Sequence, residues 1–444
     1  MRLLAIVLCW ISSTILYAQK PYTDLTDAMT RGSVLSGKSG PSGVVWIEDG
    51  KRYSYKKGVE IRIYDPKTQQ DESVFSPSGM KFPGTTENFN YQSFEWSKDF
   101  RFLVFRTNVK PVWRNSGSAD YYLYDVSNKK LTQIAQQVYT AQLSPDGTKL
   151  GFEKEGNLYV LTLSTAQLKK LTNNTTPLIY NGRFGWVYEE EFGLVRGWEW
   201  NHDGTSIAYW QTDERKVPLY GYTDYTGFKE NYTNIPYPRV GDPVPAVKIG
   251  VVQIATGKTV WMQLNADDAY IPRIYWTADP QKIALVHLNR KQNHMQMYFG
   301  DVQTGAIQKI FEEKTDTWVD VFSFGAGIMH FFYFPENKKE FFWKSERDGW
   351  SHIYRYDYKG KLINQVTQGK WDMVKMVYAD GLNQKLYYVS TEISPLERHL
   401  YVIDFNGSNK KQLTQAKGDH TVNFGGEYFI DTYSNTTQPK QVVL

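Results

Sequence analysis

Trp200-Asn201-His202-Asp203-Gly204-Thr205-Ser206-Ile207-Ala208-Tyr209 sets an aromatic residue, an aspartate three positions on, an apolar residue at seven and an aromatic one at nine. That spacing describes a hairpin in which the acid shapes the turn and positions seven and nine share one face of the returning strand. The pattern recurs at Trp46 (Asp49, Tyr53, Tyr55), Trp96 (Asp99, Leu103, Phe105), Leu143 (Asp146, Leu150, Phe152), Trp276 (Asp279, Ile283, Leu285) and Phe334 (Asn337, Phe341, Trp343). Looser copies lie at Val377-Tyr378-Ala379-Asp380-Gly381 and Phe424-Gly425-Gly426. Each unit gains a further strand signal, such as Tyr122-Leu123-Tyr124-Asp125 or Leu400-Tyr401-Val402-Ile403-Asp404, and several run on into Lys-Lys-Leu-Thr or a near match, as at 169–172 and 411–414. Four short strands repeated at a period of roughly 40 to 50 residues are the signature of propeller blades. The prediction is an all-β chain forming an eight-bladed β-propeller of four-stranded antiparallel blades.

Composition agrees. Aromatic residues make up 16% of the chain, and the single Cys, Cys9, rules out a disulfide framework. The net charge of +4 comes from 51 basic and 47 acidic residues with no basic stripe, so no nucleic-acid partner is expected. Arg2, the apolar run from Leu3 to Leu16 and Tyr17-Ala18 read as a signal peptide over 1–18, with 19–444 as the propeller of a secreted or periplasmic protein. The run falls short of the roughly 20 residues a membrane span needs, so no span is expected after cleavage. The histidines show no ligand spacing and no Gly-rich loop opens a helix, so neither a metal nor another cofactor is expected.

Two insertions interrupt the repeat, and loops on a rigid scaffold are where binding is to be sought. The first holds Trp186-Val187-Tyr188-Glu189-Glu190-Glu191-Phe192. Neighbouring side chains on a strand point to opposite faces, so these carboxylates converge only if the backbone is helical or tightly turned. Two converged carboxylates make a seat for one ammonium, and a peptide amino terminus, with a pKa of about 7.7 to 8.0 and three donors, fits it. The bland alternative is a solvated helix face or a helix start favoured by the macrodipole. The second insertion, 217–244, is rich in Tyr, Gly and Pro and reads either as an extended arm or as an ordinary surface loop.

The glutamate run, followed by Trp198-Glu199-Trp200, Val217-Pro218-Leu219 and Ile235-Pro236-Tyr237-Pro238-Arg239-Val240-Gly241, resembles the amino-terminal β-propeller of dipeptidyl peptidase IV and its bacterial relatives, in the prolyl oligopeptidase family of serine peptidases. The resemblance implies that Glu190 and Glu191 bind the free amine of a peptide and that Glu189 is structural or solvated. It also implies that Arg114, in Val112-Trp113-Arg114-Asn115, donates to the carbonyl of the penultimate residue, that Phe322 lines the substrate cavity, and that the 217–244 arm joins a homodimer. The segment 192–197 is about one residue shorter than in animal members, which leaves the geometry after the glutamates open.

A peptidase of this family needs a Gly-x-Ser-x-Gly elbow followed by Asp and His, and the sequence contains no such elbow. No catalytic residue is therefore assigned, and the stretch at 429–444 resembles the end of the family's propeller. The expectation is a recognition and gating propeller, inert by itself, whose partner is an α/β-hydrolase domain absent from this sequence; joined, they would release N-terminal dipeptides. The alternative is a stand-alone periplasmic propeller that binds or scaffolds peptides. An endopeptidase or acyl-peptide hydrolase of the same superfamily would lack the paired glutamates.

Overall fold

The computed structural model describes residues 22–32, 36–321, 331–335 and 337–444; the expected signal peptide lies outside them. Among the described residues eight antiparallel blade sheets follow one another along the chain, and within each one the strands are laid down in sequence order, while a ninth, two-stranded sheet projects from blade 4. Blade 1 comprises Ser42–Ile47, Arg52–Lys57, Glu60–Asp65 and Gln70–Phe75, and blade 2 comprises Ser93–Trp96, Phe102–Pro111, Gly117–Asp125 and Lys130–Val138. Blade 3 runs from Thr140–Leu143 to Gln167–Lys170, blade 5 from Ala269–Trp276 to Ile307–Lys314, blade 6 from Phe332–Tyr333 to Leu362–Gln365 and blade 7 from Met373–Asp380 to Lys411–Gln412. The chain is an eight-bladed β-propeller.

The hairpin pattern acts as a register code. In five of the copies the opening residue pairs with the one seven positions later: Trp46 with Tyr53, Trp96 with Leu103, Leu143 with Leu150, Trp200 with Ile207 and Trp276 with Ile283. In the turn between them the aspartate accepts the amide two residues on, as Asp99 does from Arg101, Asp146 from Thr148, Asp203 from Thr205 and Asp279 from Gln281. The threonine that ends Lys-Lys-Leu-Thr or its near match closes the outer strand: the Thr172 hydroxyl accepts from Leu158 N–H and the Thr414 hydroxyl accepts from Leu400 N–H, both on third strands.

Two blades depart from four strands. Blade 8 has three, Asp419–Phe424, Phe429–Ser434 and Gln441–Val443, with Gly37 making a parallel bridge to Lys440. Its hairpin turn places Gly425 and Gly426 before Glu427, and the ring closes there. The Trp46 indole of blade 1 donates to the Asn423 side chain at 2.7 Å, and a Cβ on Gly425 would lie 2.2 Å from the Trp46 ring. Blade 4 has five strands, since Ile179–Asn181 and Trp198–Trp200 both pair with Ser206–Asp213, which leads on to Ala246–Gln253 and Thr259–Trp261. Its first strand is thus cut in two, and the glutamate run is spliced into the cut.

The core lies between blades. Ile61 and Phe75 of blade 1 pack on Leu103, Phe105 and Tyr124 of blade 2, with the Phe75 and Phe105 rings 4.4 Å apart. The first strands of blades 4 to 7 line a cavity of about 950 Å³ that presents Trp200, Tyr275, Trp276, Phe332 and Tyr378.

Candidate functional site

Trp186–Phe192 is an α-helix, the geometry that adjacent carboxylates need in order to converge. Gly185 precedes it without a side-chain cap because the Glu214 carboxylate occupies that space: a Cβ on Gly185 would sit 1.7 Å from Glu214 Oε1. Gly193, at φ 64°, ends it in the left-handed region, its amide donating to Glu189 O at 3.1 Å while Leu194 N–H donates to Tyr188 O at 3.0 Å. The shortened segment after the glutamates therefore closes the helix cleanly. Val187, Tyr188 and Phe192 are buried, and Tyr188 stacks on Phe184 with centroids 5.2 Å apart.

The three glutamates have different surroundings. Glu189 is fully buried; its Oε1 accepts the Asn115 amide at 2.7 Å, and its Oε2 has no hydrogen-bond partner. That bond ties the loop 112–116 of blade 2 to the helix of blade 4. Beside it Arg114 Nε donates to Glu190 Oε1 at 3.2 Å and lies 3.1 Å from Oε2, with the Arg114 side chain 77% exposed and that of Glu190 16%. Glu191 is exposed and without a partner among the described residues. The structure thus unites Arg114 with Glu190, 76 residues apart in sequence, and sets Glu191 on the next helical position. Phe322 lies outside the described residues.

Several groups behind the helix were not singled out from the sequence. Burial pushes the carboxyl groups of Glu153 and Glu214 up to about 7, against the opposing pull of Arg183. The Arg183 guanidinium lies over the Tyr180 and Tyr139 rings at 4.3 and 5.2 Å. Glu153 stands in a strand buried along four consecutive residues and Glu214 just beyond the end of another, so no motif or period in the sequence points to them.

The arm emerges beside the site as a two-stranded ribbon, Leu219–Asp224 with Asn231–Pro236. Its base meets the helix, with Tyr237 4.4 Å from Trp186, while Tyr225, Phe228 and Tyr232 are exposed along it. Among the described residues no group of His, Cys, Asp and Glu could hold a metal ion, and no helix is long and apolar enough to cross a membrane.

The sequence model of the family described as "Dipeptidyl peptidase IV (DPP IV) N-terminal region" matches residues 97–440. The chain belongs to that family. Dipeptidyl peptidase 4 of Trichophyton tonsurans is 27% identical over 425 residues, covering 90% of this chain and 53% of the relative, and that of Trichophyton rubrum is 26% identical over a similar span. The crystal structure of Porphyromonas gingivalis dipeptidyl peptidase 4 superposes with a TM-score of 0.83 at 26% identity, over 96% of this chain and 60% of the other. A Bacteroides ovatus structure at 21% identity and TM-score 0.70 shares the fold. The chain spans about half the length of the dipeptidyl peptidase 4 relatives it matches.

Proposed function

We propose that this propeller is the substrate-recognition and gating part of a secreted dipeptidyl peptidase IV-like serine exopeptidase, and that Glu190 and Glu191 bind the free amino terminus of a peptide. The observation that carries the reading is one helix that sets the exposed Glu191 next to a largely buried Glu190 already paired with a cation from another blade. Adjacent carboxylates repel, so the pair is most favourable with an ammonium between them, and a peptide without one leaves their charge uncompensated. Among the described residues Arg114 is engaged only through Nε, so the rest of this planar, exposed guanidinium can donate to a peptide carbonyl. Pinning the amine fixes the register of the chain, so that a nucleophile supplied by an α/β-hydrolase domain meets the bond two residues along. The exposed aromatic arm is assigned to homodimer formation.

The test is binding of Ala-Pro-Ala and of N-acetyl-Ala-Pro-Ala to the chain by titration calorimetry. The free peptide should bind tighter, and the double variant Glu190→Gln with Glu191→Gln should erase the difference. Equal affinities for the two peptides in the parent chain would refute the assignment.

A further inference from the structure

The first strand of blade 5 carries a β-bulge where it passes the glutamate helix. Its register runs from Tyr270 opposite Leu288 directly to Arg273 opposite Val286, so Ile271 and Pro272 together face His287. A bulge frees backbone groups from the ladder, and proline has no amide to lose. Freed groups buried in the core must find partners elsewhere. Here they find them around the helix: Ile271 N–H donates to Tyr188 Oη at 3.0 Å, and Ile271 O accepts from the Trp210 indole at 2.8 Å. The Arg273 guanidinium donates to Pro272 O and, at 2.8 Å, to Phe192 O, the last carbonyl of the helix.

Arg273 is only 3% exposed, and burial pulls its guanidinium below its usual range. Burying a cation is costly, so its location needs a structural reason. The C-terminal turn of a helix leaves carbonyls unsatisfied and carries partial negative charge, which a buried guanidinium meets by donating. Glu190 and Glu191 belong to that same last turn.

We infer that Arg273, seated by the bulge at Ile271 and Pro272, is a positioning residue for amine recognition: it locks the last helical turn and so fixes where Glu190 and Glu191 present their carboxylates. The inference rests on the proposed amine-binding role of those glutamates. A helix of seven residues is too short to hold its own geometry in water, so the tie to blade 5 sets the spacing of its side chains.

The experiment compares the parent chain with Arg273→Met and Arg273→Lys in two measurements: the affinity ratio between Ala-Pro-Ala and its N-acetyl form, and hydrogen exchange of the amides at 188–194. Arg273→Met should cut the ratio roughly tenfold and speed exchange across the helix by a similar factor, the effect of losing a charge-assisted hydrogen bond. Arg273→Lys, which keeps a cation donor, should restore most of both. A parent chain that discriminates while Arg273→Met discriminates equally well overturns the inference and leaves the amine-binding reading intact. If the parent chain itself does not discriminate, that reading fails, and exchange decides the positioning role alone: helix amides as protected in Arg273→Met as in the parent refute it. Should Arg273→Met not fold, Arg273→Gln, which removes the charge and shortens the reach to Phe192 O, takes its place with the same outcomes.

Discussion

Three consecutive glutamates should separate into one that supports the site and two that use it. Replacing Glu189 by Ala removes a fully buried carboxylate and leaves the Asn115 amide without its acceptor. Losing a hydrogen bond to a charged group costs about 1.5 to 3 kcal/mol, part of which is recovered because the unpartnered Oε2 no longer has to be desolvated, giving a net loss of about 2 kcal/mol. Glu190 pairs with an Arg114 side chain that is 77% exposed, so Glu190→Ala should cost below about 1 kcal/mol. Glu191→Ala, at an exposed position, should stay within about 0.5 kcal/mol. Urea unfolding followed by tryptophan fluorescence gives the order of stabilities, and peptide titration should rank Glu190 and Glu191 as the larger losses in affinity. Equal stability losses at all three positions, or none at Glu189, would refute the division of labour.

Other perturbations test neighbouring parts of the argument. Glu153 and Glu214 hold protons in the folded chain between about 4.5 and 7 that the unfolded chain has released, so stability should fall as pH rises through that window, by at most about 3 kcal/mol for each group; urea midpoints that are flat from pH 5 to 7.5 would contradict this, and Gln at both positions should flatten the slope. Burial disfavours the charged form of His420, but the Asp431 carboxylate at 2.7 Å and the Ala416 carbonyl outweigh it and raise its pKa. The stabilisation it adds to blade 8 is complete below its unfolded pKa and lost as pH climbs through the folded one, so NMR titration of its ring should give a midpoint above the ordinary value. Gly425→Ala forces a methyl into the Trp46 ring and should loosen ring closure, read as faster exchange in the strands of blades 1 and 8; unchanged protection there would disprove the closure contact. Deleting 219–236 should leave a monomer by light scattering if the arm joins two copies, and an unaltered mass would reject that role.

Much of this fold is written locally. The pairing of Trp96 with Leu103 or Trp200 with Ile207 spans eight residues with an aspartate turn between them, so each blade announces itself in a short window. The helix under the glutamates was partly legible for the same reason, because on a strand neighbouring carboxylates point to opposite faces. The looser copy at Phe424-Gly425-Gly426 was visible too, but the contact that requires a glycine at Gly425, the Trp46 ring, lies at the far end of the chain.

By itself, then, the sequence determined the all-β repeat and its eightfold count, since these depend on spacings within a few residues, and it narrowed the backbone at Glu190 and Glu191 to a helix or a tight turn if their carboxylates are to converge. Only the tertiary structure decided that Glu189 is sealed against the Asn115 amide, that Arg114 reaches Glu190, and that Arg273 grips the end of the helix. Those contacts join blades 2, 4 and 5, and contacts across a closed ring depend on how blades pack, which no local periodicity encodes.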